Sequence, residues 1–501
     1  MSGPAGPKDR SGIWILPLAT RKLSKVIDDA LGGAALSPDQ SQIVFQRRSV
    51  PEIWIMKSNG ADPRKLLALP GDSIHDSQLA WFPDGRRFAF DSAGRAGREF
   101  SIQTYDLGTG ETRTILSDRK AGDFCLVRDG RIVYSRMEDA PNDKSANLWE
   151  VSIDFRAARI YGIPRRLTNW PGSQFGSLAS TTDSKHLSYV RLHLQNSVYV
   201  GELEENGTRL TKAQRFSFEQ WTNWPTAWSR DSQAVFFNSD SPGHPDIFKQ
   251  AIAGRDVVAL AGGRDERRDA RLSPDGKWLL YLEWPGQQPK VASGQGRLMR
   301  AGIEGKTAQA VFSVSGYSRR IRTEPLVSIS LEGHPAFRCP SGTSRPCVLT
   351  EEFEGNVVFT AFDPLNGKGA ELYKAPAASF NFWDLSPDGQ WIALGRNEEI
   401  SSPIHLISLT GEPPRDIEAG GWTHLMSASW DSNGKALFVT AFASKGSPLL
   451  HVPLHGQTRL LYRGLKYVEN PVASSDGRHL TFGEMTEDGN AWVLDLARKT
   501  R

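Results

Sequence analysis

Nine aspartates recur at nearly regular intervals along this chain of 501 residues, and carboxylates could act as acid–base groups or bind a metal. Each lies in a short motif, of which Leu272-Ser273-Pro274-Asp275-Gly276 is the clearest copy. In such a motif Pro presets φ, Asp accepts hydrogen bonds from backbone amides, and Gly takes the positive φ that closes a tight turn. The motif therefore predicts that the aspartates cap turns and do not react. The predicted turn residues are Asp39, Asp84, Asp129, Asp183, Asp231, Asp275, Asp388, Asp431 and Asp476.

The spacing of these motifs predicts a repeat protein. Successive aspartates lie 45, 45, 54, 48 and 44 residues apart up to Asp275, and 43 and 45 residues apart from Asp388 onwards. A period near 45 is typical of a four-stranded propeller blade. A short apolar strand with a central aromatic follows most turns, as in Ile53-Trp54-Ile55, and helical periodicity is nearly absent. We expect an all-β protein, a β-propeller of about ten four-stranded blade repeats.

Ten repeats exceed the roughly 4–8 blades of one propeller, so the sequence predicts two tandem propellers. We expect a half repeat at 1–30, six propeller units at 31–312, an irregular insert or crossing at 313–340, and about four units at 341–501. In the last region Glu354-Gly355 is expected to form a degenerate copy of the turn, and Leu372-Tyr373 its aromatic strand. The half repeat is either a closing strand or the truncated start of a longer protein.

The three cysteines do not form a disulfide framework. Cys125 lies in an apolar strand and is expected to be buried. Cys339 and Cys347 flank a turn-rich loop, so a disulfide between them is possible in an oxidising compartment. Two cysteines without further Cys or His partners provide too few ligands for zinc.

Composition and missing motifs narrow the function. The chain has 60 Lys and Arg against 57 Asp and Glu, spread along its length, so no nucleic-acid partner is expected. No secretory signal or run of about 18 apolar residues occurs, so no membrane span is predicted. A Gly-x-Ser-x-Gly elbow is absent. Pro453 between His451 and His455 argues against the helix that would bring them together on a metal. We expect no catalytic residue, no metal site and no cofactor.

The repeated Ser-Pro-Asp-Gly motif, followed by a basic residue, an apolar strand and an Ile-Trp or Ile-Phe strand, resembles the WD40-like repeats of TolB-like propellers. The C-terminal half, including Trp383-Asp384-Leu385-Ser386-Pro387-Asp388-Gly389, also resembles propeller regions of bacterial winged-helix or Ser/Thr-kinase signalling proteins. This resemblance implies a sensor or interaction module and a periplasmic location. Kinase and winged-helix motifs are absent, so neither of those activities is implied.

Two functions remain open. The first is a non-enzymatic scaffold that binds a protein or peptide through its loops and central channel, as part of a bacterial signalling or envelope system. The alternative is a small-ligand-binding or hydrolytic propeller with its site in the channel. The absence of a reaction motif favours the scaffold.

Overall fold

The computed structural model describes most of the chain in segments. These are residues 12–16, 21–47, 50–69, 78–93, 100–138, 145–170, 173–217, 221–240, 246–260, 265–284, 295–304, 307–315, 321–324, 327–330, 334–342, 345–396, 403–443, 446–465 and 467–496. They form two compact units. Unit 1 comprises Met1–His193, Arg322–Ile329 and Asp488–Arg501, and unit 2 comprises Leu194–Ile321 and Ser330–Glu487.

Unit 1 begins with a strand pair and continues with three antiparallel four-stranded sheets, each ordered as in the chain. The pair is β1 (Gly12–Ile15) and β2 (Ser24–Asp28). The sheets are β3 (Ala30–Leu36), β4 (Gln42–Arg47), β5 (Glu52–Lys57) and β6 (Arg64–Ala68); β7 (Leu79–Trp81), β8 (Arg87–Ala93), β9 (Phe100–Asp106) and β10 (Thr112–Ser117); and β11 (Ala121–Val127), β12 (Arg131–Met137), β13 (Ala146–Asp154) and β14 (Arg159–Arg166).

Two long strands carry the chain between the units. After β15 (Gln174–Ser180), β16 (His186–Glu204) begins in unit 1 and ends in unit 2, where the 3₁₀ turn Glu205–Gly207 leads to β17 (Arg209–Arg215). The chain returns to unit 1 after β40 (Tyr467–Ala473), through β41 (His479–Asp495), which begins in unit 2 and ends in unit 1. These five strands form one sheet in the order β15-β16-β41-β40, with β17 also paired to β16.

Unit 2 also contains five four-stranded antiparallel sheets. Their strands are β18 (Asn223–Trp228), β19 (Ala234–Ser239), β20 (Asp246–Ala251) and β21 (Val257–Ala259); β22 (Glu266–Leu272), β23 (Trp278–Trp284), β24 (Gly296–Gly302) and β25 (Gln309–Val314); β28 (Ala336–Arg338), β29 (Cys347–Phe353), β30 (Asn356–Asp363) and β31 (Gly367–Pro376); β32 (Phe382–Leu385), β33 (Trp391–Gly395), β34 (Ile404–Ser408) and β35 (Arg415–Ile417); and β36 (Leu425–Trp430), β37 (Ala436–Ala441), β38 (Ser447–Pro453) and β39 (Arg459–Gly464). The 3₁₀ turn Ala377–Ser379 follows β31. Between β25 and β28, β26 (Ile321–Glu324) pairs with β27 (Val327–Ser330), and Arg322–Ile329 of this pair belongs to unit 1.

Six apolar clusters close unit 2 into a circle. Each cluster lies between two neighbouring sheets, as where Phe236 and Tyr281 pack between the sheets that begin with β18 and β22. Further clusters join the following sheets in turn. The last two place β40, β41, β16 and β17 between the sheets that begin with β36 and β18. Unit 2 is therefore a six-bladed propeller whose sixth blade combines strands from two distant parts of the chain.

The all-β propeller built from blade repeats is confirmed, with three differences in detail. Eight of the ten repeats form separate four-stranded sheets, whereas the repeats of Asp183 and Asp476 share the five-stranded sheet because β16 and β41 extend through both. The stretch predicted to be irregular contains β26, β27 and β28. In the described part of the chain β1 pairs with β2, and the last strand pairs with mid-chain β16 and with β40. The proposed grouping of repeats on either side of 313–340 stays a prediction.

Candidate functional site

The predicted turn aspartates lie between the first and second strands of their repeats. In six copies a Ser or Thr hydroxyl donates to the carboxylate two residues later, at 2.5–2.6 Å. In the Asp275 copy the carboxylate accepts from the amide of Lys277 at 3.1 Å, and Ser273 Oγ accepts from the amide of Trp278 at 3.0 Å. The six copies are those of Asp39, Asp183, Asp231, Asp275, Asp388 and Asp476.

Three of the nominated aspartates use other contacts. Asp84 accepts from the amides of Arg86 and Arg87 and also binds the Arg87 guanidinium. Asp129 binds the side chain of Arg131 at 2.6 Å. Asp431 occupies the position that Ser386 has in its turn, since its amide donates to the carbonyl five residues later. Its carboxylate accepts hydrogen bonds from the amides of both Lys435 and Ala436. In the Asp388 turn the equivalent two amides are divided between the Asp carboxylate and the Ser hydroxyl.

The turn carboxylates are thus occupied within their own hairpins. The hydroxyl of Ser273 holds the pKa of Asp275 below its usual range, and that of Ser37 lowers the pKa of Asp39 to about 2. A general acid–base group needs a pKa near the working pH, and these shifts go in the opposite direction. Their geometry is that of turn caps.

The cysteine loop stands where the repeat of β28 would have its Asp-turn. Cys339 and Cys347 form a disulfide with Sγ atoms 1.98 Å apart, which joins the end of β28 to the start of β29. Glu354 and Gly355, expected to form the degenerate copy of this turn, instead connect the second and third strands with positive φ at both residues. Leu372-Tyr373 consequently falls in the fourth strand, not the third. Cys125 is buried, and burial raises the pKa of its thiol to about 12.

The first-to-second strand turns of unit 2 contact one another around the circle, and we call them the turn face. Its described segments are residues 229–232, 273–276, 339–342, 345–347, 386–389, 431–434 and 474–477. Arg230 donates to the carbonyl of Asp275, and Asp476 donates its amide to Ser232 Oγ. The cysteine loop bridges two neighbours, because Gly342 donates its amide to the Pro274 carbonyl and Ser341 to that of Pro387. These hydrogen bonds cross-link the turn face at four of the six junctions between neighbouring turns.

Directly beneath the turn face, the first strands of the six blades form what we call the inner ring: β18, β22, β28, β32, β36 and β40. Five of the six neighbouring pairs of the ring pack against one another. The sixth pair, β28 and β32, is joined by an ion pair between Arg338 Nε and Asp384 Oδ1 at 2.9 Å. Asp384 Oδ2 accepts the amide of Trp430 in β36 at 2.9 Å. Arg338 also packs over Trp383.

Arg271, in β22, belongs to the same level of the inner ring. It is half-buried and interacts electrostatically with Asp384, Asp269 and Arg338. Burial lowers the pKa of Arg271. Burial, reinforced by the nearby Arg271 charge, lowers the pKa of Arg338 to about 10. Arg271, Arg338 and Asp384 form the candidate functional site.

Sequence reasoning missed these residues, although the repeats carry a signal for two of them. In seven of the nine turns, the residue two positions before the turn Ser or its equivalent is small or apolar: Ala35, Ala80, Cys125, Ala179, Ala227, Ser429 and Val472. Only Arg271 and Asp384 are charged at this position among the nine turns. Aligning the repeats position by position would have isolated them.

The structure does not bring the two histidines of the rejected metal motif together. His451 is buried in β38, where burial lowers its pKa, and His455 is exposed in the following turn. Among the described residues no group of three His, Cys, Asp or Glu side chains could hold a metal ion. No helix within the described segments is long and apolar enough to cross a membrane.

No family model and no curated protein matches this chain. Among solved structures it is similar to a putative TolB from Agrobacterium tumefaciens, with 16% identity over 61% of this chain and 90% of that one and a TM-score of 0.26. TolB from Acinetobacter baumannii matches with 14% identity over 68% and 63%, at a TM-score of 0.20. An oligogalacturonate lyase from Vibrio parahaemolyticus matches with 11% identity over 69% and 81%, at 0.29.

The sequence identities and TM-scores of these matches are too low to support a function. The propeller assignment therefore rests on strand order and on the circle of apolar clusters. TolB proteins, which the repeats resemble, recur among the similar structures. The resemblance to winged-helix and kinase signalling proteins stays a prediction.

Proposed function

We propose that this chain is a non-enzymatic scaffold that binds a protein or peptide on the turn face of unit 2. The observation that supports this is the hydrogen-bonded cross-linking of the turns around the inner ring. Loops that are already fixed lose little conformational entropy when a partner binds, which favours affinity. Six loops on one rigid body also offer a broad recognition surface.

The same proposal places the protein in an oxidising compartment, such as the bacterial periplasm, as part of a signalling or envelope system. The supporting observation is the disulfide between Cys339 and Cys347 within the turn face. Disulfides persist in oxidising compartments and are rare in the cytosol.

The scaffold can be tested with peptides selected for binding to the immobilised full chain. Their affinity is then measured for two variants of the protein, each with one charge reversed at one end of the blades. Lys277 is exposed directly after the turn-face segment 273–276. Glu354 is exposed in a second-to-third strand hairpin, which lies at the opposite end because successive strands are antiparallel. We expect Lys277→Glu to change the affinity of the selected peptides and Glu354→Lys to leave it unchanged.

Peptides whose affinity changes only with Glu354→Lys would place binding on the opposite end and contradict the proposal. Turnover of a selected peptide, followed by mass spectrometry, would contradict the non-enzymatic part.

A further inference from the structure

Arg271 is a cation held inside the inner ring without a hydrogen-bonding partner. Its Nε is shielded from solvent and unpaired, and the side chain makes no hydrogen bond to any residue in the described part of the chain. Arginines packed between strands are normally fixed by carboxylates or carbonyls, because a shielded N–H without a partner is destabilising. The neighbouring Arg338, by contrast, is bound to Asp384 at 2.9 Å.

The position of Arg271 indicates that its guanidinium points to the ring interior. Asp384 lies in β32, two strands further round the ring than β22, yet it is the first carboxylate that attracts Arg271. Arg271 and Arg338 are also close enough to repel one another. The strand between them is β28, so an interaction between side chains of β22 and β32 places the Arg271 charge towards the centre of the ring.

Asp384 attracts Arg271 but makes no hydrogen bond to it in the described part of the chain. One carboxylate oxygen accepts from Arg338 Nε and the other from the Trp430 amide, each at 2.9 Å. Arg271 therefore keeps its donors available, next to a second guanidinium. The planar fork of a guanidinium matches a carboxylate, which it can bind through two parallel hydrogen bonds.

We propose that Arg271, with Arg338 beside it, binds a carboxylate group inside the inner ring of unit 2. The carboxylate comes either from a free small acid or from an acidic side chain or C-terminus of a bound peptide. Only the peptide source rests on the proposed scaffold function.

Calorimetric titration of the full chain with succinate at constant ionic strength tests the site. We expect saturable binding that weakens at least about tenfold in Arg271→Met, since a hydrogen bond between charged groups is lost. Arg300 is the matched control: it lies in β24 of the same blade, but its guanidinium already donates to the Pro364 carbonyl and to Gln309. Arg300→Met should bind succinate as the wild type does. Absence of saturable binding to both succinate and the carboxylate peptide below, or equal weakening in both variants, overturns the proposal.

Stability separates a ligand site from an internal bridge. Burial and repulsion from Arg338 oppose the attraction of Arg271 to Asp384 and Asp269, and Arg271 makes no hydrogen bond within the described residues, so Arg271→Met should unfold at an unchanged or higher denaturant concentration. Arg338→Met should unfold earlier, because Asp384 then loses its guanidinium partner. If Arg271→Met is destabilised as much as Arg338→Met, Arg271 is a structural bridge and the proposal is wrong.

One acidic peptide in two forms distinguishes the sources of the carboxylate. A peptide selected on the turn face is titrated with its carboxylates free and with all of them amidated. Binding of the free form alone, lost in Arg271→Met, supports a peptide carboxylate. Succinate binding without any peptide binding leaves the carboxylate site standing and contradicts the scaffold. Equal binding of both forms, with no succinate binding, contradicts the site and leaves the scaffold standing.

Discussion

Six of the nine predicted turns depend on a hydroxyl and a carboxylate acting together. In the Asp275 copy the hydroxyl of Ser273 donates to the carboxylate and accepts the amide of Trp278, while the carboxylate accepts the amide of Lys277. The two side chains thus satisfy two amides that the tight turn leaves without strand partners. The position of Asn433 in the Asp431 turn, equivalent to that of Asp388, indicates that an amide is tolerated where the carboxylate usually stands.

Removing one carboxylate should weaken the turn without affecting binding. We expect Asp275→Ala to lower the free energy of unfolding by about 0.5–2 kcal/mol, as for the loss of a side-chain cap. Asp275→Asn, which keeps an acceptor oxygen, should lose less. Urea unfolding curves measure both. Loss of peptide affinity in Asp275→Ala at unchanged stability would mean that the carboxylate contacts a partner.

The turn carboxylates should also make stability sensitive to acid. Ser37 and Ser41 lower the pKa of Asp39 to about 2, whereas the pKa of an aspartate in an unfolded chain is near 3.9. A lowered folded-state pKa stabilises the protein fully above the unfolded pKa, and the contribution disappears as the pH falls through the folded pKa.

We therefore expect the difference in melting temperature between the wild type and Asp39→Asn to shrink as the pH falls from 5 to 2. A difference that stayed constant over this range would contradict the role of the ionised carboxylate.

At the scale of elements, one blade replaces the usual turn with a covalent link. The disulfide spans a sequence separation of 8 residues. The chain-entropy model gives about 2–3 kcal/mol for a loop of this size. We expect reduction, or Cys339→Ala with Cys347→Ala, to lower the free energy of unfolding by that amount. Cys125→Ala should remain as sensitive to reductant as the wild type. A reductant effect in the double variant would point to another cause.

The elements also show where sequence reasoning works and where it ends. The Asp-turn is local, because proline, aspartate and glycine dictate its conformation within five residues, so the tight turn itself could be predicted from the sequence. Glu354-Gly355 was misassigned because its role depends on which two strands of the blade it joins. A two-residue hairpin has no local feature that distinguishes the first-to-second connection from the second-to-third. Pairing of β41 with β16 and the meeting of Arg271 with Asp384 are long-range, so no local pattern encodes them.

At the scale of the whole molecule, unit 2 is closed by its most distant strands. Leu480 and Phe482 of β41 are fully buried against residues such as Tyr199 of β16. A chain that ends after Glu487 keeps the unit 2 part of β41, whereas one that ends after Arg478 loses these two core side chains, and a buried Phe alone is worth about 3–5 kcal/mol.

Limited proteolysis should therefore leave residues 194–478 intact in the chain that ends after Glu487 and digest them in the chain that ends after Arg478. Equal resistance of both would mean that the circle of blades does not depend on β41.

The pairing of β16 with β41 also has a consequence for folding during synthesis, because the two strands are made far apart in time. Thr481 and Thr486 of β41 hydrogen-bond to Tyr199 and Gln195 of β16, across sequence separations of 282 and 291 residues. At about 5–20 residues per second a ribosome needs on the order of tens of seconds to make that interval. Throughout it the nascent β16 presents an unpaired edge, which can recruit strands from neighbouring chains. Expression at high polysome density should therefore favour aggregation of this protein more than its native stability would suggest.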